Sequence, residues 1–281
     1  MTWSKYVIVK SSMPKVVNGF PFFNELKLLH FKLVELWDVM DTFIIVESCQ
    51  THSGEHKPFY LEEHLGTTLA SYASKIVYIK LEDAIEGEDA AWRREVYQRN
   101  MIMKGVEKLH LQDEDILLIG DLDEIPDPFY VSKMKKGELV YHVVARLRQD
   151  MYYYNLTCKS VVQFTGLFYI SYRRLMDMLY DGVTLNSIRR MDLPRTEYCH
   201  GWHLSYFGDI HQIQKKLKSF VHHNEYDQAK FTKEFLEECI VNHRNIFHTE
   251  TEIDKYDDFV YIPIHENEYL PKHYNMLMES S

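Results

Sequence analysis

The run Asp115-Ile116-Leu117-Leu118-Ile119-Gly120-Asp121-Leu122-Asp123-Glu124-Ile125-Pro126 places an apolar strand directly before a cluster of acids. In open α/β sheets ligands bind beyond the carboxyl ends of the strands. Two aspartates at i and i+2 of an extended segment project the same way. Held together they repel, and a divalent cation that bridges to a diphosphate relieves the repulsion. A solvated acidic turn capping a helix near Pro128–Met134 explains the same string equally well, because D-x-D is short and common.

Upstream, the pattern alternates strand and helix. Val7–Val9 and Lys15–Val17 read as short strands, Phe43–Val46 as a buried one, and Ile76–Ile79 as another. Asn24 to Trp37 carries Leu26, Leu29, Leu33 and Leu36 at helical spacing, with Asn24 as the expected N-cap. Ala91 to His110 reads as one long helix whose Trp92, Val96, Met103, Val106 and Leu109 share an apolar face. Its polar residues Arg94, Glu95, Gln98 and Arg99 then pair four apart on a wet face, although one arginine could instead meet a phosphate or a base. Strands separated by helices imply a mainly parallel sheet. Beyond it, Leu139–Ala145, Met151–Leu156 and Ser160–Ile170 read as a strand-rich stretch, followed by helices at Ile210–Val221 and Lys233–Asn242. The expected fold is α/β, a single domain over 1–281, with a nucleotide-binding half to about residue 135 and an elaborated C-terminal half from about 136.

The whole chain agrees with this. It has 281 residues, 46% hydrophobic and 26% charged, which excludes wholesale disorder. A net charge of −10 makes it a poor general binder of nucleic acid or anionic membranes, while leaving room for a local basic pocket. No run of about 18 apolar residues is present, so no membrane span is expected. Cys49, Cys158, Cys199 and Cys239 are widely spaced without a C-x-x-C pair, and free thiols in a reducing, cytoplasmic compartment are expected.

Two further stretches carry chemistry. Glu47-Ser48, Thr51, Gly54 and Lys57 follow an apolar strand at the same sheet edge, or are plain turn formers. In His200-Gly201-Trp202-His203-Leu204-Ser205 the two histidines would face opposite sides of a strand, unlike the helical zinc arrangement. Trp202 offers a flat surface for a sugar or fills the core, and a histidine here is more often structural than a ligand.

Taken in order, these pieces resemble glycosyltransferase family 17. The resemblance rests on Phe22-Phe23-Asn24-Glu25-Leu26, Val46-Glu47-Ser48 with Thr51, Gly54 and Lys57-Pro58, the strand and acids of 115–126, and Gly201-Trp202-His203-Leu204-Ser205. It covers about Phe20 to Phe220. It implies a GT-A-like fold and inverting transfer of GlcNAc from UDP-GlcNAc to a glycan acceptor, with Mn²⁺ or Mg²⁺. It also implies that Asp121 and Asp123 hold the metal and the donor's diphosphate, with His203 as a further metal or phosphate contact; from the residues themselves, Glu47, Arg94 and Trp202 are the other candidate donor-binding residues. Gly120 stands where animal members carry an acid, and no anchor or stem is visible. The catalytic base is open among Asp150, Asp192 and Glu225. Other donors, a nucleotidyltransferase and a non-catalytic carbohydrate-binding protein remain as alternatives, and a zinc hydrolase is disfavoured by histidine spacing.

Overall fold

The computed structural model describes residues 13–138, 144–220, 225–248 and 259–278. The expected strand Val7–Val9, part of the expected strand from Leu139, and His222 and His223 lie outside them. The polypeptide opens with β1 (Val16–Phe22), α1 (Leu26–Leu36), β2 (Thr42–Ser48), α2 (Tyr60–Leu65) and β3 (Ile76–Leu81). It continues with α3 (Ala90–Asn100), α4 (Ile102–Val106), β4 (Ile116–Ile119), β5 (Glu124–Pro126) and α5 (Pro128–Lys136). The second half holds β6 (Val144–Tyr153), β7 (Cys158–Ser160), β8 (Phe168–Ser171), α6 (Tyr172–Tyr180), α7 (Leu185–Arg190) and β9 (Arg195–Ser205). Then come α8 (Ile210–Ser219), α9 (Lys233–Val241) and β10 (Phe259–Tyr261).

One sheet runs in the order β10-β7-β6-β8-β4-β1-β2-β3, with β9 joined to β5 and β6. Its first part is parallel: β1 pairs with β2 and β4, and β2 with β3. From β4 outward it turns antiparallel through β8, β6, β7 and β10, while β9 returns parallel to β6. The central strands are buried on both faces, which is why they read as unbroken apolar runs. Alternate residues feed two cores. Phe20, Phe43, Ile45 and Leu118 pack with α1, while Val17, Ile44, Val46, Leu117 and Ile119 pack with α4, α6 and α7.

Three expectations are corrected. Helix α1 starts one turn-residue later than its sequence signal, with Glu25 as N-cap and no side-chain cap bond, so Asn24 does not cap it. The long helix breaks at Met101 into α3 and α4. Within α3 the buried residues are Ala90, Arg94, Gln98 and Arg99, so the polar side faces inward and Trp92 and Val96 are only half-buried. The physical reason is that the strand ends beneath α3 present polar backbone: Gln98 Nε2 donates to the carbonyls of Phe22 (3.2 Å) and Val46 (2.8 Å).

The four cysteines are free; Cys158 and Cys239 are buried. No helix among the described residues is long and apolar enough to cross a membrane. A segment near the C-terminus straps the first half. Glu35 of α1, buried, accepts from the amides of Lys272 and His273, each at 2.9 Å, and from His273 Nδ1 at 2.8 Å. Tyr269 stacks on Trp202, takes its indole N–H at 3.1 Å and donates its hydroxyl to Asp127 at 2.7 Å.

Gly201 lies in β9 at φ +139°, and a Cβ there would stand 2.1 Å from the Ile125 carbonyl oxygen of β5. Only glycine allows the two strands this approach. Gly201→Ala is expected to lower the unfolding free energy by about 3 kcal/mol or more, from strain and overpacking together, as read by urea denaturation.

Candidate active site

Strand order reverses at β1, whose neighbours β2 and β4 lead to opposite sides of the sheet. Such a switch point opens a crevice beyond the strands' carboxyl ends. Here it is a cavity of about 310 Å³ bordered by Phe22 and Phe23 at the end of β1, Gln50–His52 after β2, and Asp121–Asp123 after β4.

The acidic segment is a turn and not the extended strand expected from its spacing: the Glu124 amide donates to the Asp121 carbonyl at 3.2 Å. Beneath it lies Lys32 of α1, wholly buried. Its ammonium donates to the carbonyls of Asp121 (3.0 Å), Leu122 (3.3 Å) and Glu124 (3.0 Å) and sits 4.2 Å from the centre of the Phe20 ring. Burial pushes this ammonium down to about 7, while the charges of Glu124, Asp123 and Asp121 oppose that fall. The turn caps nothing: Asp127 is the N-cap of α5, accepting from the Phe129 amide at 2.8 Å.

Each carboxylate of the turn meets cations. Asp121 Oδ1 accepts from Arg99 Nη1 (2.8 Å) and Oδ2 from Arg189 Nη2 (2.6 Å). Arg189 also grips both oxygens of Glu124, at 2.7 and 3.1 Å. Gly120 makes room for that grip, since a Cβ there would stand 2.2 Å from Glu124 Oε2. Asp123 Oδ2 accepts from Lys216 Nζ of α8 at 3.0 Å, and Oδ1 lies 3.5 Å from His203 Nε2. Burial by itself would raise the Asp121 carboxyl; Arg189 and Arg99 more than offset it and hold it at about 2. Burial opposes in the same way at Asp123, where Lys216 and His203 bring the carboxyl far below the usual range. Both acids are therefore anionic at neutral pH.

Of the three residues expected at a metal, Asp121 has both oxygens bound by guanidinium groups, which leaves Asp123 and His203 as the side chains better placed for a divalent cation. The imidazole nitrogen beside the Asp123 carboxylate is Nε2; Nδ1, on the other side of the ring, is buried without a hydrogen-bond partner, and His203 lies behind Asp123 and does not itself border the cavity. Among the described residues no group of three or more His, Cys, Asp or Glu side chains surrounds a metal position. Hard cations such as Mg²⁺ complete such a site with water and phosphate oxygens.

The other residues singled out by sequence divide clearly. Arg94 supports the cavity from behind: Nη1 donates to the His52 carbonyl at 3.0 Å, and the guanidinium lies against Gly54. Glu47 is wholly buried and binds Lys57, Tyr78 and the amides of Tyr60 and Leu61, fixing the start of α2. Trp202 is packed into the core under Tyr269 and does not border the cavity. His200 and His203 lie on opposite sides of β9, His200 against Tyr130 and His203 against Phe164. Asp150 is buried and bound to Lys159 and Gln163. Asp192 is exposed, its charge felt by Arg146, and Glu225 is exposed. None of these three borders the cavity. Lys32, Arg189 and Lys216 had no place in the sequence reading. Lys32 carries a retrospective signal, a lone lysine among Leu29, Leu33 and Leu36 on the buried side of α1.

A model of glycosyltransferase family 17 matches residues 2–268. The chain belongs to glycosyltransferase family 17. Beta-1,4-mannosyl-glycoprotein 4-beta-N-acetylglucosaminyltransferase of Rattus norvegicus is 32% identical over 128 residues, which is 44% of this chain and 24% of that protein. The Homo sapiens protein of the same name matches to the same extent. The match thus spans about a quarter of the length of these curated relatives. Solved structures similar to the chain include a mannosyltransferase from Pyrobaculum calidifontis in complex with GDP-Man and Mn²⁺, with TM-score 0.42 and 11% identity, covering 77% of this chain and 66% of that one. Another is GalNAc-T7 with UDP, GalNAc and Mn²⁺, with TM-score 0.41 and 10% identity, covering 80% and 50%.

The depressed Asp121 carboxyl sets an acid response. Its unfolded value is near 3.8 and its folded value about 2, so its contribution to stability is complete above pH 4 and lost as pH falls towards 2. Urea denaturation from pH 5 to pH 2 is expected to show the stability gap between wild type and Asp121→Asn closing across that window.

Proposed function

We propose that this family 17 enzyme transfers GlcNAc from UDP-GlcNAc to a glycan hydroxyl with inversion, assisted by Mn²⁺ or Mg²⁺. The observation that carries the reading is the acidic turn at the switch-point cavity, held by Lys32 and faced by Arg99, Arg189 and Lys216. The family supplies the reaction class, and the relatives' names supply the donor sugar and the mannose acceptor. The reading takes the chain as one glycosyltransferase domain.

The residues divide the work as follows. The nucleoside enters between the end of β1 and residues 50–52, with Phe22, Phe23 and Trp92 as apolar walls. Arg99 borders the cavity and its Nε is buried without a partner, a donor ready for a ligand oxygen. Asp123 and His203 would hold the cation, which when bound supplies charge neutralisation for the departing diphosphate. Lys216 adds a protein cation beside it, its ammonium kept protonated, against burial, by Asp123 and Glu25.

Asp123→Asn is expected to abolish nucleotide-sugar turnover in protein that still folds, with a lowered melting temperature because Lys216 loses its paired carboxylate; survival of activity in that variant, or in EDTA, removes the metal assignment. Calorimetry with Mn²⁺ present is expected to show UDP binding more tightly than GDP, and the reverse order contradicts the donor. A reducing, cytoplasmic location is part of the same proposal. It is supported by four free cysteines, three with thiols pushed up by burial: Cys158 to about 12, and Cys199 and Cys239 to about 11. Thiol titration of denatured, unreduced protein is expected to count four.

A further inference from the structure

We propose that Glu95 is the catalytic base, standing where the donor cavity meets a second cavity that admits the acceptor. This rests on the glycosyltransfer reading above. The second cavity, of about 370 Å³, is bordered by Arg146, Gln163, Phe164, Asn186, Arg190 and Glu95. Glu95 is the one carboxylate that borders both cavities among the described residues. The second cavity's walls are rich in amide and guanidinium donors, the groups that bind glycan hydroxyls.

Four carboxylates line the donor cavity: Glu25, Glu95, Asp121 and Asp123. Asp121 is held by two guanidinium groups, and Asp123 by Lys216 and His203, so neither readily accepts a proton. Glu25 accepts from the Asn24 amide at 3.1 Å, lies 3.5 Å from Lys216 and does not border the second cavity. Glu95 sits mid-helix on α3, aligned by Arg99 at 3.2 Å, with its side chain 17% exposed. The charged and titratable groups that feel it are Arg99 of its own helix, Arg189 of α7 and His52 of the loop after β2. In the transfer, the acceptor O–H proton passes to a Glu95 oxygen. The acceptor oxygen's electron pair forms the new bond to the anomeric carbon. The bond from that carbon to the diphosphate breaks, its electron pair leaving on UDP.

The test compares wild type, Glu95→Gln and Asp192→Asn with UDP-GlcNAc and a β-mannose-terminated glycan. Glu95→Gln is expected to lower kcat by a factor of about 10²–10⁴. UDP affinity by calorimetry should stay within about threefold, and the fall in kcat on the acid side of the pH profile should disappear. An ion pair that merely braced Arg99 would weaken UDP binding and leave that acid limb in place, which overturns the proposal. So does near-wild-type kcat in Glu95→Gln, or loss of the acid limb in Asp192→Asn with the limb intact in Glu95→Gln. Should Glu95→Gln not fold, Glu95→Asp decides: at least a tenfold lower kcat with the acid limb retained supports the base, and an unchanged kcat removes it. Absence of transfer by wild type overturns the glycosyltransfer reading itself, a result distinct from any of these.

Discussion

One ammonium group organises this molecule's chemistry. Lys32 reaches up through the sheet's apolar layer and spends its three protons on three carbonyls of the acidic turn. Burial is the largest influence on this group and works against its charge; carbonyl dipoles, the Phe20 ring and three nearby carboxylates offset part of that cost. Its grip bends the backbone so that Asp121, Asp123 and Glu124 leave the turn in different directions. Arg189 then collects Asp121 and Glu124, and Lys216 collects Asp123. Removing the lysine would free the backbone on which every one of those contacts is built.

The electrostatic pattern runs against the chain's overall balance. The net charge is −10, yet Lys57, Arg99 and Lys216 all border the switch-point cavity. The positive charge is not loose. Each of these cations is tied to an acid, Glu47, Asp121 or Asp123, which keeps the side chains in place before any ligand arrives. Such preorganisation removes reorganisation cost at the moment of reaction.

How much of this was legible beforehand follows from what burial does to sequence. β2 and β4 announced themselves because a parallel sheet buries both faces and leaves runs such as Phe43-Ile44-Ile45-Val46. The acidic turn was legible because it ends such a run. The orientation of α3 was not. Periodicity assumes that the inward side is apolar, whereas Arg94, Gln98 and Arg99 face inward to serve backbone groups and the Asp121 carboxylate. Arg189 was hidden for another reason: it is 68 residues from Asp121 and 65 from Glu124, and nothing local in α7 marks it. Trp202 kept its apolar role but spends it on Tyr269, a partner 67 residues downstream.

The strap over α1 has a consequence for how the protein is made. Glu35 is made 237 residues before Lys272, yet the amides that satisfy its buried carboxylate belong to residues 272 and 273. The carbonyl that receives the Trp202 indole, and the ring that covers it, come from Tyr269. Until those residues leave the ribosome, a carboxylate and an aromatic face of the nascent chain stay open to water. The scaffold of the switch-point cavity is thus clasped by residues made long after it, and a chain halted a few codons short of residue 269 would hold β1 to β9 without the clasp that covers them.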